Sequence, residues 1–257
     1  MQIKPAITGI LFSLLLLTQT QAFSAECGAK SGAKTTPLLE LYTSEGCSSC
    51  PPADKWISKI QYDKSEITPL AFHVDYWDYI GWKDKFSKAA YSDRQRKTAA
   101  FGGAGFVYTP QFVFNGRDFK GWDNSRLNAA ITKTQKFASR AHLTLNAVND
   151  ADGSITLKAN AEAVNPDDAK NADVFVALYE NGLVSNVQAG ENVGRQLKHE
   201  YVVRKLFGAY QINNQNQFNK KFTLSKSWKN KDAGAVIFVQ DSTNGEIIQS
   251  LALDFCR

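Results

Sequence analysis

The chain has 257 residues, 43% of them hydrophobic and 21% charged, with a formal net charge of +5. That length supports one large or two ordinary domains, each with a sizeable core, and the balance of residues excludes a disordered chain and a multi-span membrane protein. The basic excess is mild and gathers in no long run, so nucleic acid is not an expected partner.

Residues 1–24 read as a signal peptide. Lys4 supplies the positive start and Ile7 to Leu17 the apolar core. Small residues fit cleavage after Ala22 or after Ser24. The apolar run is shorter than the roughly 20 residues of a spanning helix, and no later segment comes closer. The mature chain is therefore expected to hold no stable membrane span and to be periplasmic or secreted. Glu26 stands before Cys27, where a lipoprotein signal needs a small residue, which sets that reading aside. Cys27, Cys47, Cys50 and Cys256 remain after cleavage. An even number in an oxidising compartment suggests two disulfides. Cys47 and Cys50 lie so close in sequence that Cys27–Cys256 is the natural second pair. It would close a very long loop, worth roughly 5 kcal/mol in a chain-entropy treatment, and is read as structural.

Residues 25–36 are small and polar and read as a mobile lead-in. Pro37 to Tyr42 is a mostly apolar strand, and the run ends at Gly46. Cys47-Ser48-Ser49-Cys50 follows and leads into a helix whose apolar residues Ala53, Trp56, Ile57 and Ile60 recur at i, i+3, i+4 and i+7, with Asp54 in its first turn. Ile67 to Val74 is a second strand, Asp75 to Trp82 an aromatic loop, and residues 84–101 a weaker helical pattern carrying Phe86, Ala89, Ala90 and Phe101. Gly102-Gly103-Ala104-Gly105 breaks it; no Lys-Ser/Thr follows, so it is a turn and not a phosphate loop. Thr109-Pro110 opens a short strand, Asn115-Gly116 signals a hairpin, and Arg117 to Lys120 is the return strand. Asp123 or Asn124 caps a helix with Leu127, Ala130, Ile131 and Thr134 on one face. From Ala141 the texture changes. His142–Val148, Ser154–Ala161, Asp173–Tyr179, His199–Leu206, Gln217–Leu224, Ala235–Gln240 and Ile247–Phe255 all read as strands, separated by turn signals such as Asn181-Gly182 and Asn244-Gly245. Regular strands without a helix between them predict an antiparallel sandwich.

The succession of elements over residues 37–137, with its Thr-Pro step, resembles the thioredoxin fold. The wording from Glu40 to Asp54, including Gly46-Cys47-Ser48-Ser49-Cys50-Pro51-Pro52-Ala53-Asp54, resembles a family of secreted thioredoxin-like proteins catalogued as a domain of unknown function. Val107-Tyr108-Thr109-Pro110-Gln111 carries the same likeness. The expected fold is an α/β thioredoxin-like domain over residues 37–139 followed by an antiparallel all-β, sandwich-like domain over residues 140–257. The resemblance implies a cis peptide before Pro110 and a substrate groove lined by Thr109 and Pro110. It also implies that Glu40 is a buried acid carrying the resolving cysteine's proton, at a spacing to Cys47 one residue longer than in thioredoxin.

A Cys-x-x-Cys pair at a strand-to-helix junction points to dithiol redox chemistry or to half of a metal site. In the redox reading, Cys47 is the nucleophile, favoured as thiolate by the helix N-terminus, and Cys50 resolves the mixed disulfide. A helix that begins at Pro51 leaves Cys47 outside the first turn. No cofactor is required, and the partners are exported protein thiols or disulfides together with an unidentified redox partner. The first alternative is a copper or other metal site using Cys47, Cys50 and His73, which with Asp75 ends the second strand. The Sco-type copper chaperones of this fold have three residues between their cysteines, against two here. The second is a non-enzymatic binding module with an inert disulfide. His142 and His199 read as structural. Trp77, Trp82, Tyr76, Tyr79 and Tyr108 read as a rim for a peptide partner or as a local core.

Overall fold

The computed structural model describes residues 25–150, 152–212, 217–224 and 228–256; the expected signal peptide lies outside them. The chain is a mixed α/β protein, rich in β structure, with three sheets among the described residues. Its first half contributes strands β1 (Glu26–Lys30), β2 (Leu38–Thr43), β3 (Thr68–His73), β4 (Gln111–Phe114) and β5 (Arg117–Asp118), with helices α1 (Pro51–Ile57), α2 (Ala89–Phe101) and α3 (Asn124–Thr134). The second half adds β6 (Ala141–Asn149), β7 (Ile155–Ala163), β8 (Ala172–Glu180), β9 (Leu183–Asn186), β10 (Gln196–His199), β11 (Val202–Gln211), β12 (Gln217–Phe222), β13 (Ala233–Asp241) and β14 (Ile247–Asp254), with one short helix, α4 (Pro166–Ala169).

The largest sheet has eight strands in the order β14-β13-β8-β11-β3-β2-β4-β5. Inside it β2 lies beside β3, parallel over six residue pairs. Both strands are near-continuous apolar runs, as burial on two faces demands. The sheet crosses the boundary expected at residues 139 and 140, because β11 pairs with β3 at Val202 and Ala71. The second sheet, β1-β6-β7-β12, packs its inward face, including Leu143, Leu145 and Leu157, onto Val174, Val176, Ile237 and Leu253 of the large sheet. Alternation along β6 and β7 matches one buried and one exposed face. The third sheet is the β9-β10 ribbon.

The expected mobile lead-in is corrected: Glu26–Lys30 pairs residue by residue with β6. Its backbone hydrogen bonds and the Cys27–Cys256 disulfide order a segment with almost no apolar signal of its own. On the large sheet, Leu39 and Leu41 point to α1 and α3, where they meet Ala53, Ile57, Leu127 and Ile131. Leu38 and Tyr42 point to the other face, with Phe72, Val113 and Tyr91 of α2. α2 buries Ser92, Arg94, Gln95 and Thr98 besides Tyr91 and Ala99, so its inward face is largely polar and left little periodicity to read. Asp123 caps α3 by accepting the N–H of Arg126.

Candidate active site around Cys47 and Cys50

Beyond β2 the chain turns tightly. The Cys47 N–H donates to the Ser44 carbonyl at 3.2 Å, and the Cys50 N–H donates to the Cys47 carbonyl at 3.2 Å. Cys47 and Cys50 form a disulfide and are fully buried, whereas Ser48 and Ser49 between them are exposed. Gly46 lies against the aromatic loop: a Cβ there would stand 3.2 Å from both Cβ and O of Trp77. α1 begins at Pro51, with Cys50 as its cap residue.

This start removes the helix-end activation expected for Cys47. Pro51 and Pro52 have no N–H to give, and the N–H groups of Ala53 and Asp54 both donate to the Cys50 carbonyl. The first turn therefore holds no free donor for a Cys47 thiolate. The Ser49 hydroxyl, with Oγ 3.2 Å from Cys47 Sγ, is the polar group in contact with that sulfur.

Glu40 is also displaced from its expected place. Successive side chains of a strand alternate faces, so with Leu39, Leu41 and Thr43 turned toward α1, Glu40 turns away from it. There it accepts a 2.6 Å ion-paired hydrogen bond from Arg94 Nε and a 3.2 Å bond from the Tyr42 hydroxyl. The Thr109–Pro110 peptide is cis, as the resemblance implies. Thr109 is tied toward the cysteine turn through Trp77, whose Nε1–H donates to Thr109 Oγ1 at 2.7 Å. Trp82 is committed inward, donating to Glu45 Oε2 at 2.7 Å. Of the expected aromatic rim, Tyr79 is the residue that stands free, 83% exposed.

A buried polar cluster adjoins the cysteine turn on the α1 face of β2 and β3. It comprises Thr43, Glu45, Asp54, His73, Asp84 and His199. His73 Nδ1 lies 2.6 Å from Asp84 Oδ2, and the Glu45 and Phe86 N–H groups each donate to Asp84 at 2.9 Å. His199 lies between two acids, with Nδ1 3.2 Å from Asp54 Oδ1 and Nε2 3.4 Å from Glu45 Oε1. The Thr43 hydroxyl donates to Asp54 Oδ2 at 2.8 Å. Burial opposes charge on His199, but its hydrogen bonds to Asp54 and Glu45 and their negative charge outweigh it and push the imidazole up to about 10. Burial likewise acts to raise the Asp84 and Glu45 carboxyls; the charge of His73 for Asp84 and the hydrogen bond to His199 for Glu45 hold both below the usual carboxylate range.

His73 thus sits where a site residue was expected, but its companions are Asp84, Asp54 and His199. Asp75 leaves the cluster and accepts from the Ser92 hydroxyl at 2.5 Å. His142 is exposed on β6. His199, expected to be structural, arrives on β10 from more than a hundred residues downstream. Asp54 carried the one local signal, an acid placed a turn after Cys50.

The β9-β10 ribbon also supplies a cover for the cysteines. Its tip, residues 187–195, places a fully buried Asn192 against the turn, where Nδ2 donates to the Glu45 carbonyl at 2.8 Å and to the Cys47 carbonyl at 2.9 Å. Glu191 accepts the Ser48 N–H at 3.0 Å. Neither residue carried a signal readable from sequence.

Fold and site together define a β-rich α/β protein with a covered Cys-x-x-Cys disulfide beside a buried histidine–carboxylate cluster. The protein family of unknown function DUF1223 matches residues 38–240, and the chain belongs to that family. Among solved structures, the chain is similar to the X-ray structure of an Agrobacterium tumefaciens protein, with 25% identity, a TM-score of 0.60, and coverage of 87% of this chain and 96% of that one. It also matches HBP35 of Porphyromonas gingivalis, with 16% identity, a TM-score of 0.61, and coverage of 88% and 76% of the two chains, a likeness of fold alone. No curated protein matches the chain.

Proposed function

We propose that the protein is an exported thiol–disulfide oxidoreductase acting through Cys47 and Cys50, and that residues 37–139 are its thioredoxin-like part. The observation that carries the reading is the position of the disulfide. It lies just past the C-terminal end of the inner parallel strand β2, at the start of α1, with both cysteines buried and Ser48 and Ser49 between them exposed. Supporting it are the order β2-α1-β3-α2-β4-β5-α3 and the tie from the cysteine turn through Trp77 to Thr109. A partner thiolate attacks one sulfur, forming a mixed disulfide and releasing the other cysteine as thiolate. A second partner thiolate then displaces the first cysteine, so the partner leaves as a disulfide and Cys47 and Cys50 remain reduced; reduction of a partner is the reverse. Export is supported by the signal-like residues 1–24, by two disulfides that include every cysteine, and by the absence, among the described residues, of a helix long and apolar enough to cross a membrane.

The test is equilibration of the mature protein in defined glutathione buffers, followed by alkylation and peptide mass spectrometry. Cys27–Cys256 is the internal structural standard. Opening of Cys47–Cys50 at a distinctly less negative potential than the standard supports the reading. Resistance of both pairs below about −300 mV marks a structural disulfide and overturns it.

A further inference from the structure

We propose that His73, His199 and Asp54 hold a divalent transition-metal cation of the zinc class next to the Cys47–Cys50 turn. The site is independent of the cysteines. One ligand atom from each of the three residues lies within 4.8 Å of the other two, and all three side chains are buried. His73 Nε2 has no hydrogen-bond partner, which buried polar atoms rarely tolerate.

The surrounding groups are arranged as a metal site requires. A ligating imidazole characteristically gives its second nitrogen to a carboxylate, which fixes the ring and its tautomer. Asp84 holds His73 through Nδ1, leaving Nε2 as the ligand atom. Glu45, itself fixed by Trp82, stands behind His199 on the Nε2 side, leaving Nδ1 beside Asp54 Oδ1. That 3.2 Å separation is close to what two ligands on one tetrahedral ion adopt with bonds of about 2.0–2.2 Å. Thr43 fixes the other oxygen of Asp54. The two imidazole rings cross edge to face at 4.8 Å between centroids.

Charge points the same way. Glu45, Asp54 and Asp84 are three buried carboxylates, and among the described residues their ion pairs are made with histidine alone, without lysine or arginine. A divalent ion would supply the missing positive charge, and two imidazoles with a carboxylate suit zinc better than calcium or magnesium. A route in exists: a cavity of about 310 Å³ between α1 and β10 is lined by Asp54 and His199.

The experiment uses the full mature chain with both disulfides intact, checked by the absence of titratable thiol. The protein is stripped with chelator, offered zinc, desalted and measured for bound zinc; cobalt is then used as a spectroscopic stand-in. The expected result is one zinc per oxidised chain and a cobalt spectrum free of thiolate charge-transfer bands. Affinity should fall at least 100-fold in His73→Ala and His199→Ala, fall 10- to 100-fold in the milder Asp84→Asn, and hold in the Cys47→Ser/Cys50→Ser double variant. If the histidine variants do not fold, Asp84→Asn and the wild-type cobalt spectrum still decide. An oxidised wild-type chain that retains no zinc, or zinc that binds only after reduction and is lost with the cysteines, overturns the proposal. Bound zinc does not report the potential of the Cys47–Cys50 pair, so either result leaves the redox reading to its own test.

Discussion

Asn192→Ala is the sharpest probe of how the disulfide is protected. The amide makes two hydrogen bonds, at 2.8 and 2.9 Å, to the Glu45 and Cys47 carbonyls, and it is fully buried. The Cys47 carbonyl keeps the Cys50 N–H as partner after truncation, whereas the Glu45 carbonyl loses its donor from the ribbon tip. One net hydrogen bond of about 1 kcal/mol and one orphaned buried acceptor at about 1–3 kcal/mol give a loss of about 2–4 kcal/mol. If residues 187–195 must lift before a thiol can reach the sulfurs, most of that loss lowers the opening free energy. Taking about 2 kcal/mol, the Cys47–Cys50 bond should be reduced about 30-fold faster. The assay is pseudo-first-order reduction by dithiothreitol, quenched by alkylation and read at the Cys47–Cys50 peptide, with Cys27–Cys256 timed in the same samples. A wild-type reduction rate at Cys47–Cys50 in Asn192→Ala would refute the idea that the ribbon tip is the barrier.

Three further outcomes follow from the packing. Glu40→Ala leaves Arg94 charged and unpaired among Phe72, Phe175 and Phe238; it should cost about 3–5 kcal/mol in urea unfolding yet leave the reduction potential of Cys47–Cys50 unchanged, and a shifted potential would place Glu40 back in the redox chemistry. Gly116→Ala should destabilise by about 2–5 kcal/mol, from left-handed strain and overpacking, because φ is +78° and the new Cβ would sit 1.9 Å from the Gly245 carbonyl oxygen; an unchanged urea midpoint would contradict the contact between the two Asn-Gly turns. Replacing Cys27 and Cys256 together by serine opens a loop with a sequence separation of 229 and should cost about 2–5 kcal/mol, loosening β1 from β6 in hydrogen exchange while the reduction rate of Cys47–Cys50 stays at the wild-type value.

Much of this protein was legible in its residues. β2, β3, β8, β13 and β14 are apolar runs that could only be buried, and Asn115-Gly116 turns the chain as its residue types require. Both disulfides follow from spacing, α1 shows its buried face in its period, and α3 does so in period and cap. Even the failure of Glu40 as a partner of the cysteines is contained in the period of two along β2: with Leu39 and Leu41 on the face of α1, the residue between them must point away. Local pattern reports which side of an element is buried and says nothing of what it is buried against. β1 lacks an apolar pattern and exists because β6 offers it an edge. The polar inner face of α2 is tolerated because Glu40, Tyr108 and Gln111 answer Arg94 and Gln95 from other elements. The meeting of Asp54 with His199, 145 residues apart, and the seating of Asn192 over Cys47, at the same separation, depend on a ribbon inserted between β8 and β11. No periodicity encodes such contacts; they arise when hydrophobic burial joins the two halves into one sheet and carries the polar residues of the ribbon to the cysteines.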